Sequence, residues 1–294
     1  MFEQVYSPLQ KINHPLLKNF YVKRDDLIDP YISGNKWRKL KYLLKQAQTA
    51  NKTHLVTFGG AFSNHLVATA SAAARAGLRS TAFVRGESVQ NDMLLLCKLF
   101  GMQLIFTSRE SYKDKPMLFD QYFGNQKDAF FIDEGGASAE AVQGCAEIIA
   151  ELPVDVNLLF CAAGTGTTAA GLMQGIWNHN RQTELHVVPV LKDGVFIRTE
   201  MERYVRVDHQ LVLHTDYHFG GYAKTQPALL EFLQQFSSNY GLLTDPVYTA
   251  KMFFGIFDLA AKGMIDTEAK VVALHTGGLL GLLGMKDKLE KMLI

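Results

Sequence analysis

The sequence is poor in the features that mark extracellular, membrane-embedded or nucleic-acid-binding chains. It has three cysteines in 294 residues, Cys97, Cys145 and Cys161. Their odd number, wide spacing and apolar neighbours suit buried free thiols and argue against a disulfide framework or a metal site. Charge of one sign is equally scarce, with 30 lysines and arginines facing 29 aspartates and glutamates for a net charge of +1. No global field therefore favours nucleic acid or an anionic membrane. No run of about 18 apolar residues is free of charge, and the opening stretch MFEQVYSPLQKINHPLLKNF has neither a continuous apolar core nor a small-residue cleavage site. A soluble, cytoplasmic protein is expected. Low-complexity tracts, short repeats and linkers rich in Pro, Gly or Ser are also missing. A second lobe would thus be inserted into the first rather than strung after it.

The length allows one large α/β domain or two lobes, with interior enough for a water-poor small-molecule site. Apolar runs alternate with helical patterns, which argues for parallel sheet built from βαβ units. Strands are expected at HLVTF (54–58), STAFV (80–84), QLIFT (103–107) and AFFID (129–133), and again at VNLLFCA (156–162), LHVVPV (185–190) and KVVALHT (270–276). The first group suggests a smaller lobe over 47–140 inserted into a larger one made of 1–46 plus 141–294.

Four of these strands run into glycine-rich turns: GGAFSNH, EGGAS, AGTGTTAAGL and TGGLLG. In a parallel sheet such turns lie at the carboxyl ends of the strands, where open α/β folds bind ligands. Singly, each can be a helix start that needs only tight geometry. Together on one side of a sheet they point to a site. Gly164, Thr165, Gly166, Thr167 and Thr168 leave an apolar strand and enter a helix, so free backbone N–H groups and the helix dipole can hold a phosphate. Read as G-x-G-x-x-A the turn also resembles a dinucleotide fingerprint, but after VVPV come Leu191 and Lys192 before the acidic Asp193. No GK[ST] follows, which excludes a P-loop. Ser63, Asn64 and His65 open an alanine-rich helix, where Ser63 and Asn64 can cap the helix or contact a ligand carboxylate.

Projecting residues 36–48 at about 100° per residue gathers Trp37, Leu40, Leu43, Leu44 and Ala47 into one stripe, with Lys36 inside it. Arg38, Lys41 and Lys45 project from the opposite face with Lys39 at its margin, and these are expected in solvent. A lysine on the apolar side of a first helical turn sits near the positive dipole end and partly away from water; both effects favour the neutral amine. Such a lysine either snorkels past the helix end or serves as a Schiff-base amine. An amine for a carbonyl and an anion site for a phosphate together describe pyridoxal phosphate.

The stretches VKRDDL with SGNKWRKLKYLL, TFGGAFSNH, AAGTGTTAAGL, FGGYAKTQPAL, TDPVYTAKMFFG and HTGGLLGLLG, in this order from residue 22 to 284, carry a resemblance across nearly the whole chain. The sequence resembles fold-type II pyridoxal-phosphate enzymes, specifically the 1-aminocyclopropane-1-carboxylate deaminase/D-cysteine desulfhydrase family. The resemblance implies an α/β protein of two lobes with open twisted parallel sheets, similar to tryptophan synthase β, with pyridoxal 5'-phosphate between the lobes, and a homodimer. It implies that Lys36 bonds the cofactor aldehyde, that Asn64 hydrogen-bonds its phenolic oxygen and that Gly164 through Thr168 hold its phosphate. Ser63, Asn64 and His65, with the turn amides, would receive the carboxylate of a small amino-acid substrate. Tyr222 and Tyr248 match the two active-site tyrosines of the family; by their residue type alone, both read as half-buried packing residues. Thr167 and Ala169 depart from the Gly and His common in relatives.

Thr249 stands where the resemblance places the partner of the pyridine nitrogen, a glutamate in the deaminases and a threonine in the desulfhydrases. A carboxylate would keep that nitrogen protonated and strengthen the electron sink, whereas a hydroxyl leaves it largely neutral. Opening a cyclopropane leans on the sink more than expelling a thiolate does. The expected reaction is therefore β-elimination from a small amino acid, with D-cysteine giving pyruvate, hydrogen sulfide and ammonia. Alternatives are 1-aminocyclopropane-1-carboxylate deamination to 2-oxobutanoate, a nicotinamide-dependent oxidoreductase built on the GTGTTA turn, and a non-catalytic amino-acid-binding protein.

Overall fold

A computed structural model describes residues 5–293. The expected lobe ranges include residues 1–4 and 294, which lie outside these. The chain opens with β1 (Leu9–Lys11), β2 (Asn19–Lys23) and α1 (Asn35–Thr49). There follow β3 (His54–Gly60), α2 (Asn64–Arg75), β4 (Arg79–Arg85), α3 (Asp92–Leu99), β5 (Gln103–Thr107), α4 (Lys115–Phe123) and β6 (Ala129–Ile132). The second run is α5 (Ala139–Ala150), β7 (Leu158–Ala163), α6 (Thr167–Asn178), β8 (Glu184–Pro189), α7 (Phe196–Glu202) and β9 (Leu211–Leu213). It closes with α8 (Pro227–Tyr240), α9 (Thr249–Ala261), β10 (Lys270–Leu274) and α10 (Lys286–Leu293).

Strands β3 to β6 make a four-stranded parallel sheet in the order β5-β4-β3-β6. The others make a six-stranded sheet in the order β1-β2-β10-β7-β8-β9, parallel except for the β1–β2 pair. Helices cover both sheets, so the central strands are buried on both faces and read as continuous apolar runs. All seven expected strands are present. Sequence patterning did not mark β1, β2 and β9; β1 and β9 have three residues each, too few to show a period. NFYVK becomes β2 because β10, from the far end of the chain, pairs with it in parallel through Phe20↔Val271 and Val22↔Ala273.

The apolar stripe of α1 packs on the four-stranded sheet, where Trp37, Leu40, Leu43, Leu44 and Ala47 meet Leu55, Ala68, Ala72 and Ile132. Burying each large member of such a stripe contributes about 1.5–3 kcal/mol, against at most about 1 kcal/mol for a surface ion pair, so the stripe sets the roll of the helix. The other face of α1 does not meet water as expected. Helix α5 covers it at short range: a Cβ on Gly144 would lie 2.0 Å from the Arg38 carbonyl oxygen. Arg38 and Lys39 are consequently buried at 1% and 3% exposure, a correction to the solvated face read from periodicity. Lys41 is half-buried on Glu147, and Lys45 is exposed. The lobe boundaries expected at 46/47 and 140/141 fall inside α1 and inside the first turn of α5.

Arg38 is held by ions. Its Nε and Nη2 donate to Asp25 at 3.1 and 2.8 Å, and Nη2 donates again to Glu151 at 2.9 Å. Lys23 pairs with Glu151 at 2.7 Å, and Ser7 donates to Asp25 at 2.6 Å. This network ties β2, α1 and α5 together. The three cysteines are buried free thiols. Among the described residues, no helix is long and apolar enough to cross a membrane.

Removing one partner of a buried ion pair strands the other charge, whereas removing both is far cheaper. Arg38→Met is expected to lower unfolding stability by about 3–5 kcal/mol, and Arg38→Met with Asp25→Leu to recover much of that loss. Denaturant midpoints of the three proteins, measured without cofactor, check this.

Candidate active site

The four glycine-rich turns that follow β3, β6, β7 and β10 converge on one cavity of about 470 Å³. Its wall holds Lys36, Ser63, Asn64, His65, Gly164, Thr165, Gly166, Thr168, Tyr222 and Tyr248. Ten of the twelve residues singled out from the sequence therefore face one space, although they lie as far apart as residues 36 and 248. Thr167 and Thr249 are fully buried and stand behind the wall.

Lys36 enters the cavity because Gly34 caps the start of α1. The backbone there has φ of 58°, and a Cβ would lie 1.8 Å from the Thr276 carbonyl oxygen, so only glycine lets the helix start pack on the Thr276–Gly277 turn. Burial, with the neighbouring Lys39 second, lowers the Lys36 ammonium from its ordinary 10.5 to about 7, while Cys145 and Asp245 pull the other way. Its Nζ donates to Asn35 Oδ1 at 3.0 Å, and Asn35 Nδ2 donates to Thr168 Oγ1 at 2.9 Å. One asparagine thus ties the amine to the phosphate-type loop. In that loop Gly166 caps α6 with φ of 76°, leaving the first N–H groups of the helix without intrahelical partners. A Cβ on Gly164 would lie 3.1 Å from Tyr248 Cε1, so the loop and that ring are packed against each other.

Thr167 turns its hydroxyl toward Thr165 Oγ1, on the wall, at 3.3 Å. Asn64 Nδ2 donates to Gly278 O at 3.3 Å. Ser63 occupies the N-cap position of α2, but its hydroxyl makes no capping bond, so the capping role expected for it is not realised and the hydroxyl is left for the cavity. His65 is buried. Thr57 donates its one hydroxyl proton to Ile132 O at 3.0 Å, so His65 Nε2–H must donate to Thr57 at 2.7 Å and Nδ1 is the bare acceptor. Burial, helped by Lys36 and Lys39, holds this ring neutral.

The rings of Tyr222 and Tyr248 meet edge to face at 6.1 Å. Burial raises both phenols, Tyr248 well above its ordinary value, so both keep their protons near neutrality. Thr249 Oγ1 accepts from Asp245 N–H at 2.9 Å and donates to Asp245 Oδ1 at 2.9 Å. Asp245 also accepts from the N–H groups of Val247, Tyr248 and Thr249. The carboxylate therefore shapes the turn that presents Tyr248.

Sequence reasoning missed Lys39, Asp245, Arg85 and Glu134. Lys39 lines the cavity and donates to Gly135 O at 3.1 Å, placing a second cationic group near the loop. Its spacing of one helical turn from Lys36 was the available signal. Arg85 and Glu134 line the cavity from the ends of β4 and β6. The donor set fits a phosphorylated aldehyde: a buried, near-neutral amine, a helix N-terminus for phosphate, and an asparagine joining the two.

The profile of the pyridoxal-phosphate-dependent enzymes matches residues 6–277. The chain is 35% identical to a Thermotoga maritima protein provisionally named a 1-aminocyclopropane-1-carboxylate deaminase, over 96% of this chain and 95% of the relative. It is 27% identical to the Arabidopsis thaliana mitochondrial bifunctional D-cysteine desulfhydrase/1-aminocyclopropane-1-carboxylate deaminase, over 98% and 80%. The crystal structure of a 1-aminocyclopropane-1-carboxylate deaminase homologue superposes with a TM-score of 0.86 at 28% identity, covering 99% of this chain and 95% of that one. A nicotinamide reading of the GTGTTA turn assigns nothing to the amine that Asn35 links to it, and is set aside. With the profile match spanning both sheets, the first three turns and the start of the fourth, the chain belongs to the family of pyridoxal-phosphate-dependent enzymes.

Proposed function

We propose that this enzyme is a lyase that eliminates the β-substituent of a small amino acid and releases a keto acid and ammonia. The observation that carries the proposal is the lowered Lys36 amine, joined through Asn35 to Thr168 across the cavity. Bound pyridoxal phosphate supplies the electron sink that makes the Cα proton of an amino acid removable. Lys36 would hold the cofactor aldehyde, and its amine, whose pKa burial lowers to about 7, would be the base for the Cα proton once free. The raised phenols of Tyr222 and Tyr248 are poor bases, which favours Lys36 in that role; their hydroxyls serve as hydrogen-bond donors to the departing group.

Gly164 through Thr168 with Lys39 nearby would hold the phosphate, and Asn64 the phenolic oxygen, exchanging its bond to Gly278. Ser63, Asn64 and the amides at the start of α2 would receive the substrate carboxylate, beside His65. Homodimerisation rests on the family resemblance and belongs to the same proposal.

For the substrate we favour D-cysteine, split with water into pyruvate, hydrogen sulfide and ammonia. The support is Thr249, a hydroxyl where the ring-opening members of the family carry a carboxylate, and one that is already committed to Asp245. The naming of the Thermotoga relative and of the solved homologue favours a second reading, ring opening of 1-aminocyclopropane-1-carboxylate to 2-oxobutanoate.

A panel of D- and L-amino acids with β-leaving groups, plus the cyclopropane substrate, assayed for keto-acid release separates these. D-cysteine is expected to be turned over fastest; faster release of 2-oxobutanoate from the cyclopropane would reverse the choice. A second expectation concerns capture of the cofactor by cofactor-free protein. Because only the neutral amine attacks the aldehyde, the rate should fall as pH drops through about 7 and level off above it; an ordinary lysine would keep rising toward 10.5. Stopped-flow absorbance, with borohydride trapping and peptide mapping to Lys36, checks this.

A further inference from the structure

Lys251 lies in the first turn of α9, with no exposed surface, and takes no part in the cavity wall. Among the described residues no carboxylate comes within 4.0 Å of it. Its Nζ instead donates to the carbonyl oxygens of His218 and Gly221, both at 2.8 Å, and reaches that of Val190 at 3.5 Å. An ammonium has three donors and all three are directed at backbone oxygens. A buried cation without a counter-ion is costly, so its retention calls for a function in what it holds.

What it holds is a strained loop. Phe219, Gly220, Gly221 and Ala223 have φ of 52°, 93°, 114° and 54°. Left-handed backbone at a non-glycine residue costs on the order of 1–3 kcal/mol and persists only where surrounding contacts enforce it. Within the loop, Gly220 N–H donates to His218 Nδ1 at 2.9 Å, and the Gly221 and Lys224 amides donate to the His218 and Gly221 carbonyls at 3.0 and 3.1 Å. These short-range bonds share the acceptors that Lys251 uses; Lys251 adds hydrogen bonds from α9 to the loop and to Val190 just past β8, beside the edge-to-face contact of Phe219 with Phe254 of α9. The residue at the centre of the loop is Tyr222.

We propose that Lys251 is a positioning residue for Tyr222, clamping the His218 and Gly221 carbonyls so that the strained loop turns the phenol into the cavity against Tyr248. The clamp also couples the two tyrosines, since Lys251 is only three positions beyond Tyr248 in the chain. The inference rests on the reading of this cavity as the catalytic site.

Lys251→Met keeps an unbranched apolar side chain one atom shorter and removes the donors. In holoenzyme we expect unchanged borohydride labelling of Lys36, a kcat lowered about ten-fold or more with a smaller change in KM, and hydrogen exchange at 219–224 accelerated about ten-fold or more with other segments unaffected. Tyr222→Phe should cost native enzyme about ten-fold or more but less than about two-fold in the Lys251→Met background, because an unpositioned phenol has little left to lose. Additive losses, or exchange at 219–224 equal to native, overturn the clamp. Should Lys251→Met not fold, Lys251→Leu, which also removes the donors, undergoes the same cycle and is judged by the same outcomes. Absence of turnover by native holoenzyme across the substrate panel would sink the catalytic reading, while the exchange measurement still decides the clamp.

Discussion

Removing the Lys36 amine from water disfavours its ammonium form, and among the described residues no carboxylate comes within ion-pairing distance to restore it. Lys39, one helical turn along, adds repulsion of the same sign. The carboxyl that opposes this, Asp245, has its oxygens occupied by three backbone N–H groups and the Thr249 hydroxyl. The amine is left with one neutral acceptor, Asn35. Everything the site can do as nucleophile or base follows from that poverty of counter-charge.

Holding the amine there requires α1 to be fixed on all sides. Its apolar stripe packs on the four-stranded sheet, its opposite face carries Arg38 into the Asp25 and Glu151 carboxylates, and its start is pressed against the Thr276–Gly277 turn at Gly34. The three contacts come from different parts of the chain. Together they determine where the first turn of the helix, and with it Lys36, meets the cavity. The counter-charges absent around Lys36 are spent two residues away on Arg38.

The glycine-rich turns, the strands that feed them and the stripe of α1 were all legible in the sequence, because each depends on residues within a few positions of one another. Lys36 stood out from its neighbours by the same short-range geometry. The fates of Arg38 and Lys39 were not legible. Helical projection assigns a face to every side chain but cannot show that α5 will cover the polar one, an approach that turns on Gly144 more than a hundred residues later. Ser63 was read as a cap from residue type, and the structure leaves its hydroxyl on the cavity wall instead. Thr249 was read for its chemistry, but its bonds to Asp245 appear only once the turn is folded.

By itself, then, the sequence determined local backbone preference and residue chemistry: which turns need glycine, which helices begin beside them, and which side chain is an amine or a phenol. Tertiary structure alone decided which charges lose their water and what replaces it. Arg38 received carboxylates, Lys251 received backbone carbonyls and Lys36 received almost nothing. The reason is that solvation is a property of position: it is set by segments that become neighbours only when two sheets and their helices have packed.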